Sequence, residues 1–76
     1  MTVYELVERW IPCLCNDHYT VFIVFDNDYR SEQKPPITMH KNEWLNCSQD
    51  VADLKVGMFD TYNYHGEPTI RIDVDE

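Results

Sequence analysis

The sequence predicts an α+β domain, with one N-terminal helix packed on a three- to four-stranded antiparallel sheet that closes in a C-terminal hairpin. Three observations predict it. Val3, Leu6, Val7, Trp10 and Ile11 recur at i, i+3, i+4, i+7 and i+8, which draws one apolar stripe along a helix. Tyr19 to Phe25 is β-branched and aromatic throughout, without glycine or proline, and reads as a strand. Leu54, Val56 and Met58, and then Ile70, Ile72 and Val74, alternate with polar residues on either side of Tyr64-His65-Gly66-Glu67, the pattern of a hairpin. A helix stripe and a sheet face are buried most simply against each other. With 76 residues, the chain holds one domain, residues 1–76.

Local chemistry supports each element. Thr2 is placed to cap the helix and Glu5 to close a capping box. Pro12 is expected to end the helix by pushing Ile11 out of the α region. The strand at 19–25 is apolar on both faces, so it is expected to be a central strand covered on both sides or one at a subunit contact. Asp26-Asn27-Asp28 carries turn chemistry, and Pro35-Pro36 keeps the polar stretch 30–36 extended. Ile37 to His40 reads as a short strand, with Trp44 and Leu45 packing beside it. Ser48 is placed to cap a short helical turn. The alternation falters at 59–62, where a bulge or a register change is expected. Gly66 suits a turn position of positive φ.

Composition narrows the function. Fourteen carboxylates against six Lys and Arg give a formal net charge of -8. Lys34, Lys41 and Lys55 stand far apart, so a basic patch for direct nucleic-acid binding, or for an anionic membrane surface, is not expected. No run of residues is long and apolar enough for a membrane helix. Met1-Thr2-Val3-Tyr4-Glu5 lacks the basic and apolar regions of a secretion signal, and three cysteines cannot all pair. These features point to a reducing, cytoplasmic setting.

Three candidate chemistries compete with simple turns and buried thiols. Cys13, Cys15 and His18, with Cys47, His40 or His65, offer zinc ligands, but Cys13-Leu14-Cys15 is one residue tighter than a zinc knuckle. Cys47 and His40 offer a nucleophile and base with no orienting group at a recognisable spacing. Asp26-Asn27-Asp28-Tyr29-Arg30-Ser31-Glu32 opens like a calcium loop, yet lacks the glycine at its sixth position and has Ile37 at its twelfth. No cofactor, metal or catalytic residue is therefore expected, and the chain reads as a binding protein.

The carboxylates are the better lead. Asp26, Asp28 and Glu32 gather at one strand end, and Asp73, Asp75 and Glu76 close the chain. Alternate residues of a strand stand about 6–7 Å apart, so Asp73 and Asp75 share a face with a spacing close to that of successive phosphates. Tyr29 and Tyr62 lie near these groups and supply contact area at little entropic cost. The expected binding surface is thus Asp26, Asp28, Tyr29, Glu32, Tyr62, Asp73, Asp75 and Glu76. The competing interpretation is a solvated acidic face beside rings that cover the second side of a thin sheet.

In length, acidity and layout the chain resembles the small acidic proteins of bacteriophages and mobile elements, anti-CRISPR proteins among them. The matching features are Thr2-Val3-Tyr4-Glu5-Leu6, the aromatic strand 19–25 and the acidic ending Ile70-Arg71-Ile72-Asp73-Val74-Asp75-Glu76. Several anti-CRISPR families act as DNA mimics that occlude a groove of a Cas effector. The resemblance implies an inhibitor that binds a basic nucleic-acid-binding protein such as a Cas effector, and it carries over no single residue. The alternatives are a self-associating regulatory module, as a homodimer, or a small zinc-binding protein.

Overall fold

The computed structural model describes residues 1–15, 17–25 and 35–75, with the side chain of Asp75 outside that description. In chain order the elements are helix α1 (Val3–Trp10), a 3₁₀ turn (Ile11–Cys13), strand β1 (Thr20–Phe25), strand β2 (Ile37–His40), helices α2 (Lys41–Leu45) and α3 (Gln49–Ala52), and strands β3 (Lys55–Tyr64) and β4 (Glu67–Asp75). The strands form one sheet in the order β2-β1-β4-β3. The α+β class, the N-terminal helix and the C-terminal hairpin stand as the sequence predicts.

The sheet is mixed, which corrects the antiparallel expectation. β1 runs antiparallel to β2, from Thr20 opposite His40 to Ile23 opposite Ile37. It runs parallel to β4, from Thr20 opposite Thr69 to Phe25 opposite Val74. The reason is topological. β2 occupies one side of β1, and β4, at the centre of the sheet, fills the other with the hairpin partner β3 beyond it. A period of two assigns residues to faces and is silent on strand direction.

Helix α1 begins as its sequence dictates. The Thr2 hydroxyl accepts from the Glu5 amide at 3.2 Å, and the Glu5 carboxylate accepts from the Thr2 amide at 3.1 Å. The two bonds satisfy donors that the first turn otherwise leaves without partners. Val3, Leu6 and Val7 are buried. The helix ends at Trp10, but Ile11 keeps αR dihedrals (φ -53°, ψ -45°), which corrects the expected role of Pro12. Proline here sits in the first turn of the 3₁₀ segment, where its missing N–H costs nothing.

Those same bonds to Thr2 hold the Glu5 carboxyl below the ordinary carboxylate range, the backbone bond contributing most. A carboxyl lowered in the folded state stabilises above its unfolded value and loses that contribution as pH falls through its folded one. Separately from this titration, loss of the cap hydroxyl in Thr2→Ala is expected to cost about 1 kcal/mol. The melting-temperature gap between wild type and Glu5→Gln is expected to close as pH is lowered from about 5 to 2. A gap that persists at pH 2 would remove the carboxylate from the cap.

One side of the sheet carries the core. Val21, Ile23, Ile70, Ile72 and Val74 are essentially inaccessible, and they pack with Val3, Val7, Met39 and Trp44 in one cluster. Trp10 meets Tyr19 edge-on at 5.9 Å between ring centroids. Ser48 caps α3 as expected, accepting from the Val51 amide. Trp44 is buried as expected, but Leu45 is 63% exposed at the end of α2.

The bulge sits earlier than the sequence pattern suggests. Val56 faces Val74 and Met58 faces Asp73, so Gly57 is the extra residue. That insertion reverses the alternation. Val56 stays on the core side, while Met58, expected inward, turns to the opposite face and is 66% exposed. The hairpin turn places both His65 (φ 52°) and Gly66 (φ 81°) in the left-handed region, as a two-residue type I′ turn requires.

Candidate functional site

The second side of the sheet is open: helices α1 and α2 contribute to the core cluster on the other side, and among the described residues no helix packs here. The register fixes its occupants. β2 presents Thr38 and His40, β1 presents Thr20, Phe22 and Val24, β4 presents Glu67, Thr69, Arg71 and Asp73, and β3 presents Met58, Asp60, Tyr62 and Tyr64. Strand β1 is therefore central, as its apolar sequence predicts, but covered by helices on one side only. Phe22 and Val24 are half-buried by their neighbours in the sheet.

Two polar groupings lie on this face. At one end, Arg71 Nε donates to Asp73 Oδ1 at 3.3 Å, and Asp60 stands directly across the strand pair from Arg71. One cation thus faces two carboxylates, and this end stays negative. The Asp60 carboxylate also accepts from the Thr61 amide at 2.9 Å.

At the other end, Thr20 links two side chains from distant parts of the sequence. Its hydroxyl donates to Glu67 Oε2 at 2.8 Å and lies 3.1 Å from His40 Nδ1. A hydroxyl has one hydrogen. Since it goes to the carboxylate, His40 Nδ1 must be the donor in the second bond. This is a strut that fixes Glu67 and His40. Around the strut is a hollow of about 520 Å³, lined by Thr20, Phe22, Thr38, His40, Tyr62, Tyr64, His65, Glu67 and Thr69. His65 meets the Tyr64 ring edge-on, with centroids 4.2 Å apart.

Of the residues expected to bind a partner, Tyr62 and Asp73 share the open face but stand four residue pairs apart along the hairpin. The backbone of Asp75 continues β4. Asp26, Asp28, Tyr29, Glu32 and Glu76 lie outside the described residues, as does the calcium-like segment 26–32. Thr20, His40, Tyr64 and Glu67 were not singled out as a site by sequence reasoning. They come from β1, β2 and the hairpin, and only the strand order joins them, so no spacing in the chain could reveal the group.

The thiols and the helix side complete the picture. No group of three or more His, Cys, Asp or Glu side chains is placed to hold a metal ion among the described residues. Cys47 packs against the core cluster and lines a hollow with Tyr4 and Trp44, whereas His40 turns to Thr20 on the open face, so the two do not form a pair. Burial pushes the Cys47 thiol up, and the nearby Glu8 charge adds to this. Cys13 and Cys15 are exposed. Labelling with a disulfide reagent at pH 8 is expected to show two fast thiols and one slower by about tenfold or more. Three equal rates would contradict the packing of Cys47. No helix among the described residues is long and apolar enough to cross a membrane.

No protein family, curated protein or solved structure matches the chain at a meaningful level of similarity.

Proposed function

We propose that the chain is a non-enzymatic, protein-binding inhibitor that uses its open sheet face to occupy the nucleic-acid site of a basic host protein, a Cas effector being one such target. The observation that carries this reading is the combination, on one uncovered surface, of Asp60, Glu67 and Asp73 with Tyr62, Tyr64 and Met58, in a chain of net charge -8. Carboxylates on a regular strand lattice attract a cationic groove over long range. Tyrosine and methionine between them supply the contact area that holds a partner once it has arrived. The sequence adds Asp26, Asp28, Glu32, Asp75 and Glu76 to the chain's negative charge. The Arg71–Asp73 pair is half-exposed and worth about 0–1 kcal/mol, so exchange of Arg71 for a partner's cation costs little. A bacterial cytoplasm, where such targets work, is the setting this function requires.

The test is capture followed by competition. Immobilised chain is incubated with bacterial lysate at low salt, with and without nuclease. The expected result is retention of nucleic-acid-binding proteins, stronger after nuclease and reversed by added oligonucleotide or by high salt. Retention that neither salt nor oligonucleotide disturbs would overturn the proposal.

One observation favours a second reading, self-association. β3 is an edge strand carrying Met58 and Phe59, both more than half exposed. The edge is partly blunted, because Val56 donates to the Met1 carbonyl and the Thr61 amide is already bonded by Asp60. Light scattering decides between the two: a monomer supports inhibition of another protein, and a stable dimer supports the second reading.

A further inference from the structure

We infer that the hollow at the His40 end of the open face receives an arginine side chain of the partner; the inference rests on the proposed binding of a basic protein and names where its cation enters. The first observation is Glu67. Its carboxylate is two-thirds buried, with a side-chain exposure of 34%, and its ionic neighbour among the described residues is His40 Nδ1 at 3.9 Å, a cation only when protonated, with no Lys or Arg beside it. The contrast with Asp73 is direct, since Asp73 already has Arg71 within 3.3 Å. A partly desolvated carboxylate with no permanent cation beside it is where an incoming positive group gains most.

The second observation is the geometry around that carboxylate. Thr20 binds Oε2 at 2.8 Å and fixes the group before any ligand arrives. A carboxylate oxygen accepts more than one hydrogen bond, so both oxygens retain capacity for N–H donors. Tyr62 and Tyr64 line the same hollow, and Phe22 lies on its floor. Aromatic faces attract a cation, and a planar guanidinium both stacks on a ring and forks onto a carboxylate. An ammonium group meets the ring and the carboxylate as a point charge, without the stacking or the fork. An anionic ligand is disfavoured by Glu67 and by the net charge, and a neutral apolar one would strip water from the carboxylate and return nothing.

The experiment uses the full chain and three pentapeptides, Gly-Ser-Xaa-Ser-Gly, in which Xaa is arginine, lysine or citrulline. Binding is followed by NMR at low salt and pH 8. The arginine peptide is expected to move the signals of Tyr62, Tyr64 and Glu67. The lysine peptide is expected to bind several-fold more weakly and the citrulline peptide not measurably. Glu67→Gln and Tyr64→Ala are each expected to weaken the arginine peptide by about tenfold, while Asp50→Asn, on α3, leaves it unchanged. Equal binding of arginine and citrulline peptides, or shifts centred on Asp50 and Asp53, would overturn the inference. Salt-sensitive binding of arginine elsewhere on the surface would defeat the hollow and spare the proposed function. Binding in the hollow, with no basic protein captured from lysate, would do the reverse.

Discussion

Ile72→Ala is expected to cost about 2–5 kcal/mol, a large part of the roughly 4–10 kcal/mol that a domain of this size holds. Ile72 is fully buried on β4, with Ile23 beside it on the parallel strand and Phe59 on the antiparallel one. Truncation removes contacts to both neighbours and leaves a cavity under α1. The surrounding strands cannot collapse into it without breaking the parallel register. Urea denaturation is expected to show a much lower midpoint with an unchanged slope. Leu45→Ala, at a position more than half exposed, is the control and is expected to change stability by less than about 0.5 kcal/mol. If both variants cost the same, the assignment of Ile72 to the core is wrong.

The second large effect concerns recognition. Asp60→Asn, Glu67→Gln and Asp73→Asn together remove three charges from the open face. Glu8→Gln, Glu43→Gln and Asp50→Asn remove three from exposed positions on the helices. The two triple variants have the same net charge. Steering depends on where charge lies as well as how much there is. The association rate with a captured basic partner is expected to fall by about tenfold or more for the open-face variant and much less for the helix variant. Surface plasmon resonance at two salt concentrations reads both rates. Equal losses would mean that net charge alone attracts the partner and no face is selected.

Much of the fold was legible because it rests on local chemistry. The stripe from Val3 to Ile11, with Thr2 and Glu5 reciprocally bonded, needs no distant partner to be read. The same holds for the positive φ at Gly66 and for Ser48 as a cap. What was illegible depends on pairing. Nothing in Thr20–Phe25 states that Ile70–Val74 lies beside it in parallel, because both strands offer apolar residues at every second position. The bulge had a signal in Gly57, an isolated glycine inside a strand pattern, yet the faltering alternation drew attention to 59–62 instead. That one residue reverses Met58 and with it the composition of the open face. Tyr62 and Asp73 were readable as surface residues of one hairpin. Glu67 was not, since its role comes from Thr20 and His40, which are far from it in the chain and adjacent only across the strand order β2-β1-β4.

The central claim is that partners dock on the open sheet face and not on the helices. Tyrosine ring signals test it most directly, because exposed tyrosines stand on both sides: Tyr4, stacked on Trp44, on the helix side, and Tyr62 and Tyr64 on the open side. With a captured basic protein added to ring-labelled chain, Tyr62 and Tyr64 are expected to shift and broaden while Tyr4 keeps its position. Perturbation of Tyr4 with Tyr62 and Tyr64 unchanged would contradict the account.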